Sequence, residues 1–104
     1  VMQFTVYKNT GRMALYPYVL NVQSDIIGRR TTRIVIPLFP LEKYMGPLAD
    51  RLTPIVTVGP EKFVLMTHEL ASIPEKALGE EICSITSQRD VIKSALDFLL
   101  DGIG

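Results

Sequence analysis

One change of rhythm constrains this chain more than any other feature. Up to Ser84 the apolar residues come in short extended runs that proline or glycine repeatedly interrupts. Only near the end, at Val91, Ile92, Ala95, Leu96, Phe98, Leu99 and Leu100, do they fall at helical spacing on one side. Several short strands followed by one amphipathic helix bury their apolar surface when the helix packs on the sheet. The expected class is therefore mostly β: a small barrel or twisted antiparallel sheet carrying a C-terminal α-helix. With 104 residues, residues 1–104 read as a single domain.

The runs can be placed one by one. Met2 to Lys8 alternates Met2, Phe4 and Val6 against Gln3, Thr5 and Tyr7, the period of a half-buried strand. Asn9-Thr10-Gly11-Arg12 is a turn signal, and Tyr16 to Gln23 is extended with Pro17 near its start. Arg33 to Leu38 is rich in β-branched residues, but Pro37 and Pro40 argue against a long central strand. Leu41 to Leu52 holds at most a helical turn, broken by Gly46 and Pro47. Ile55–Val58 and Lys62–Met66 read as a hairpin around Gly59-Pro60-Glu61. Thr67 to Ala71 reads as a connector, and Ser72-Ile73-Pro74 leads into the Gly79 region. Ser84 or Thr86 can cap the helix start, and Asp101-Gly102 ends it. Ile26 and Ile27, in a turn region, are either core plugs or an exposed contact patch.

Charge narrows the function classes. The formal net charge is zero, which disfavours strong affinity for naked nucleic acid. The balance hides a division: residues up to Leu52 carry seven basic and three acidic side chains, and the rest carry four and eight. A basic half could receive an acidic peptide. The single cysteine excludes an intrachain disulfide scaffold. No apolar stretch is long enough for a membrane span and no signal peptide is visible, so the expected compartment is the cytoplasm.

Residues that carry chemistry are sparse. His68, the single histidine, stands beside Glu69 and could be a base oriented by a carboxylate, though a surface role is the simpler reading. Cys83 reads as a small core hydrophobe. Metal-ligand spacings and phosphate-binding glycine loops are absent from the sequence, and no cofactor is expected. Asp25 with Arg29, Arg30 and Arg33 could in principle serve RNA cleavage, pairing an acid–base group with cations for the pentavalent phosphate. The tail, Phe98-Leu99-Leu100-Asp101-Gly102-Ile103-Gly104, either packs on the sheet or offers an apolar tip to a partner.

Seven stretches in order carry a family likeness: Gln3-Phe4-x-Val6-Tyr7, Val22-Gln23-Ser24-Asp25-Ile26-Ile27, Arg33-x-Val35-Ile36-Pro37-Leu38, Ser72-Ile73-Pro74, Gly79-Glu80-Glu81, Ile92-Lys93-x-Ala95 and Gly102-Ile103. Together they resemble the CcdB toxins, the DNA gyrase poisons of type II toxin–antitoxin modules. The resemblance implies an SH3-like fold, with a main antiparallel sheet, a smaller sheet and a long C-terminal helix, shared with endoribonuclease toxins. It implies a homodimer that acts without catalysis, binding the A subunit of DNA gyrase and trapping the cleaved DNA complex. The residues it assigns to gyrase binding are Phe4, Ser24, Ile26, Ile27, Asp97, Asp101, Gly102 and Ile103. It also implies a CcdA-like antitoxin whose acidic, disordered tail neutralises the toxin, and joint repression of their operon with the antitoxin touching operator DNA. The chain departs from the pattern at its tip. Asp101 stands where the best-known relatives carry tryptophan, Asp97 where asparagine is common, and Gly104 extends the terminus. An aspartate lacks the stacking surface of an aromatic anchor and is costly to bury unpaired. A relative that keeps only the antitoxin surface is therefore the main alternative to an active poison, and an endoribonuclease toxin is the third reading.

Overall fold

The computed structural model describes residues 2–11, 15–24, 31–47 and 51–102. Strands β1 (Thr5–Asn9), β2 (Tyr18–Asn21), β3 (Thr32–Pro40), β4 (Ile55–Val58), β5 (Glu61–Leu65), β6 (Ala71–Pro74) and β7 (Leu78–Ser84) precede one helix, α1 (Arg89–Asp101). All pairings are antiparallel, in the order β4-β5-β3-β2-β1-β7, with β6 on β3. Strand twist curls the sheet, and because β4 and β7 end the path without pairing with each other it stays a half-barrel. The expected mostly β class with a C-terminal helix is what the chain adopts. The implied smaller sheet is continuous with the main one, since the nine residues of β3 serve both.

That length corrects the expectation drawn from Pro37 and Pro40. One edge of β3 pairs with β2. Its other edge pairs with β6 from Thr32 to Val35 and with β5 from Leu38 to Pro40. Pro37 falls in the handover between those two partners. Its carbonyl accepts the Met66 N–H at 3.0 Å, and no partner strand there calls for the N–H that proline lacks.

Alternation along the strands separates two apolar faces. Val6, Leu20, Ile36 and Leu38 join Phe63, Ile85, Ile92 and Ala95 in the larger core. Tyr7, Val19 and Val35 form a second cluster, with Ile73 of β6 and Leu78 of β7 against it. The sheet is thus covered on both sides of β1, and Thr5 and Tyr7 are buried along with Val6. The first strand begins at Thr5 instead of Met2, because Phe4 takes a positive φ of 60° and turns the chain.

The segment after the hairpin also differs from expectation. Thr67–Glu69 forms a 3-10 turn, and Ala71 already belongs to β6. β7 gives little alternation because Glu80 and Glu81 are adjacent and both exposed, and its register with β1 shifts twice. Gly79 is needed there: a Cβ would lie 2.8 Å from Thr10 Cγ2 and 3.0 Å from the Lys8 carbonyl oxygen.

Neither Ser84 nor Thr86 caps α1. Ser84 Oγ accepts the Thr86 N–H at 3.3 Å and stabilises the turn before the helix. A 3-10 turn at Thr86–Gln88 follows, and α1 starts at Arg89 without a side-chain cap. Ile92 and Ala95 are fully buried and anchor the helix. Among the described residues no helix is long and apolar enough to cross a membrane.

Candidate functional site

The end of α1 is built by a glycine stop. Gly102 adopts the left-handed conformation, φ 73°, and its N–H returns to the Phe98 carbonyl at 2.8 Å. Asp97, Asp101 and Gly102 are exposed. Between the two carboxylates Leu100 is 81% exposed, an unusual position for a large aliphatic side chain. Asp97 and Asp101 are four residues apart and so share a helical face. The last turn contains no basic residue. Lys93, four residues before Asp97, relieves part of this charge, but Asp101 stands at the negative end of the helix dipole, where a cation or donor from outside is welcome.

Arg51 is laid across the same helix. Its guanidinium carbon lies 5.3 Å from the Phe98 ring centroid, and its Nη2 donates to Ser94 Oγ at 3.5 Å. With Arg51 exposed and Phe98 half-buried, such a cation–ring contact contributes about 0.5–1 kcal/mol. Sequence reasoning has no signal for Arg51, which is remote in the chain from α1.

The other candidate residues sit elsewhere in the protomer. Phe4 is only 5% exposed and lies in the larger core with Ile85 and Ile92. Its N–H donates to the Asn21 carbonyl at 2.7 Å, and its carbonyl accepts the Ile85 N–H at 2.8 Å. The strand end that leads to half-buried Ser24 is splinted by side chains. Gln3 Nε2 donates to the Val22 carbonyl at 3.1 Å, Asn21 Nδ2 to the Met2 carbonyl at 2.9 Å, and the Ile34 N–H to Gln23 Oε1 at 3.0 Å. Phe4 and the Ser24 strand end are therefore tied together, next to the chain that enters α1. The helix itself, at about 1.5 Å per residue, puts roughly 18 Å between Arg89 and Asp101. Ile26, Ile27 and Ile103 lie outside the described residues.

The catalytic alternatives fare differently. Asp25, Arg29 and Arg30 lie outside the described residues. Arg33 is 8% exposed, and its Nη2 is 3.0 Å from the Glu75 carboxylate. A guanidinium so enclosed and already neutralised is poorly placed to meet a phosphate. Beside it, Thr31, Thr32, Pro74, Glu75 and Lys76 line a cavity of about 800 Å³. His68 is exposed, and its neighbour Glu69 is engaged with the Tyr16 hydroxyl. Burial first, and then the charge of Glu69 and this hydrogen bond, raise the Tyr16 phenol above its ordinary 10.0. Cys83 is half-buried against the core. No group of three histidine, cysteine or acidic side chains that could hold a metal occurs among the described residues.

The comparisons with known proteins agree with this architecture. The model of the family described as "CcdB protein" matches residues 3–102. Among solved structures, the chain is similar to an endoribonuclease in complex with its cognate antitoxin from a mycobacterial species. The TM-score is 0.72 at 14% sequence identity, over 100% of this chain and 97% of that one.

Proposed function

The chain belongs to the CcdB family, toxins of type II toxin–antitoxin systems, and from that premise we propose that it is a non-enzymatic poison of DNA gyrase. In this reading a homodimer binds the A subunit of gyrase and holds the enzyme on cleaved DNA. The observation that carries the reading is the tip of α1. Leu100, Asp97, Asp101 and Gly102 stand exposed at a glycine-stopped helix end whose two carboxylates have no basic partner in the last turn. Such a surface fits a protein partner with apolar and cationic groups, and repels the DNA backbone. Ser24, Ile26, Ile27 and Ile103 complete the contact, together with the Phe4 end of the first strand, near the two-fold axis of the dimer in this reading.

The same reading includes a cytoplasmic location and a CcdA-like antitoxin. Its acidic tail binds the toxin, removes it from gyrase, and carries the pair to operator DNA. The cations available to that tail are fewer than the charge division suggests. Lys8 lies 3.6 Å from Glu80, and Arg33 is bound to Glu75. Arg51, exposed beside α1, and Lys93 on α1 itself are cations through which the antitoxin would compete with gyrase.

Calorimetry with the purified A subunit of gyrase tests the proposal. Saturable binding, weakened by removal of Gly102 to Gly104, supports it. An endoribonuclease action is the second reading, favoured by the likeness to a toxin of that activity. Metal-independent RNA cleavage without gyrase binding would replace the first reading with the second. Antitoxin binding with neither activity would mark a non-poisoning relative.

A further inference from the structure

Ile55-Val56-Thr57-Val58 is four consecutive β-branched, uncharged residues, and β4, which they form, is an edge of the sheet. Val56 and Val58 point into the core, while Ile55 at 41% exposure and Thr57 face out. An edge of this composition is a template for strand addition, and natural sheets usually blunt such edges with charge, proline or a covering element. β4 contains none of the first two.

Among the described residues, one side chain covers the middle of this edge at Thr57. The Thr57 N–H donates to Gln88 Oε1 at 2.9 Å, and Gln88 Nε2 donates to the Thr57 carbonyl at 2.7 Å. Both backbone groups that Thr57 turns outward are therefore satisfied by one carboxamide, which reproduces the donor–acceptor pair a neighbouring strand would offer. Gln88 immediately precedes α1, so the helix start is fastened to the same edge.

We propose that Gln88 is a surrogate strand that closes the β4 edge, and that its removal opens this edge to antiparallel pairing with β4 of a second copy of this chain. The occupant follows from the composition. Two copies of Ile-Val-Thr-Val meeting about a two-fold axis oppose no like charges, and they align the outward-facing Ile55 and Thr57 side chains of both copies on one surface. The inference is independent of any action on gyrase.

Hydrogen exchange and sedimentation velocity on the full chain test it. In Gln88→Ala at high dilution the Thr57 amide should exchange roughly tenfold faster, and on raising the protein concentration species heavier than those of the parent should grow while that exchange slows again. Adding Thr57→Lys, which sets like charges across the new pairing, should return the heavier species to the parent distribution. Gln88→Leu keeps much of the side-chain bulk but neither donates nor accepts, and should show the same effects in both measurements. It provides the same test should Gln88→Ala fail to fold. Unchanged Thr57 exchange would overturn the clasp. Faster exchange with an unaltered mass distribution would overturn the edge-closing role, and so would heavier species that Thr57→Lys does not remove.

Discussion

Ile92→Ala should be the most damaging single truncation in α1, and its neighbour Val91→Ala one of the mildest. Ile92 is fully buried, whereas Val91 is 37% exposed. Ile92→Ala removes three side-chain carbons, about 2.4 kcal/mol at about 0.8 kcal/mol per buried methylene. The sheet beneath cannot collapse freely because Leu20, Ile36 and Val6 are themselves fully buried in the same cluster. A residual cavity then raises the loss to about 3–4 kcal/mol, inside the usual span of about 2–5. For a domain of this size that corresponds to a fall in Tm of roughly 12–30 °C. Ile92→Val should cost about 1 kcal/mol, and Val91→Ala should stay within about 0.5. Urea unfolding followed by circular dichroism gives the values, at one fixed protein concentration because the proposed self-association would add to apparent stability. A loss below about 1 kcal/mol for Ile92→Ala, or equal losses at 91 and 92, would refute the account of how the helix is anchored.

Three further outcomes are expected. Glu75→Gln leaves the enclosed Arg33 guanidinium without its carboxylate and should cost about 1–2 kcal/mol, below the range for fully buried pairs because the Glu75 side chain is 43% exposed; urea unfolding should show it, and Arg33→Met on top should recover part of the loss. The Tyr16 phenol is raised above its unfolded value, so its contribution to stability is complete below pH 10.0 and disappears as pH climbs through the folded value. Ultraviolet titration of tyrosinate should find that Glu69→Gln lowers the Tyr16 midpoint, and a rise in that midpoint would contradict the assignment. At the tip, Asp101→Trp should strengthen gyrase-dependent DNA cleavage and deletion of Gly102 to Gly104 should weaken it, with the mass in solution unchanged in both; loss of self-association on deletion would make the tail structural.

The legible parts of the fold are those where one physical signal acts alone. The β4–β5 hairpin is marked by β-branched runs around Gly59-Pro60, and the amphipathic stripe of α1 by its 3.6 period. β7 is not legible, since its pairing with β1 survives two register shifts and its alternation is broken by Glu80-Glu81. The extent of β3 escapes a reading of the sequence because Pro37 forbids a ladder bond only where a partner demands one, and the handover between β6 and β5 is a property of the whole sheet. The helix start is hidden for a similar reason. Ser84 and Thr86 have the chemistry of caps but bond to each other, at 2.8 Å between their hydroxyl oxygens. For the site, the exposed Asp97, Asp101 and Gly102 follow from the helix and its stop. The burial of Phe4 depends on the positive φ that turns it inward, and the approach of Arg51 to Phe98 depends on tertiary packing.

The most direct test of the account is gyrase-mediated cleavage of supercoiled plasmid with ATP and the purified chain, the enzyme being denatured before the products are separated. Poisoning of gyrase predicts linear DNA that accumulates with toxin concentration and disappears when the cognate antitoxin is added first. Plasmid that stays supercoiled, at toxin concentrations that saturate the A subunit of gyrase, would contradict it.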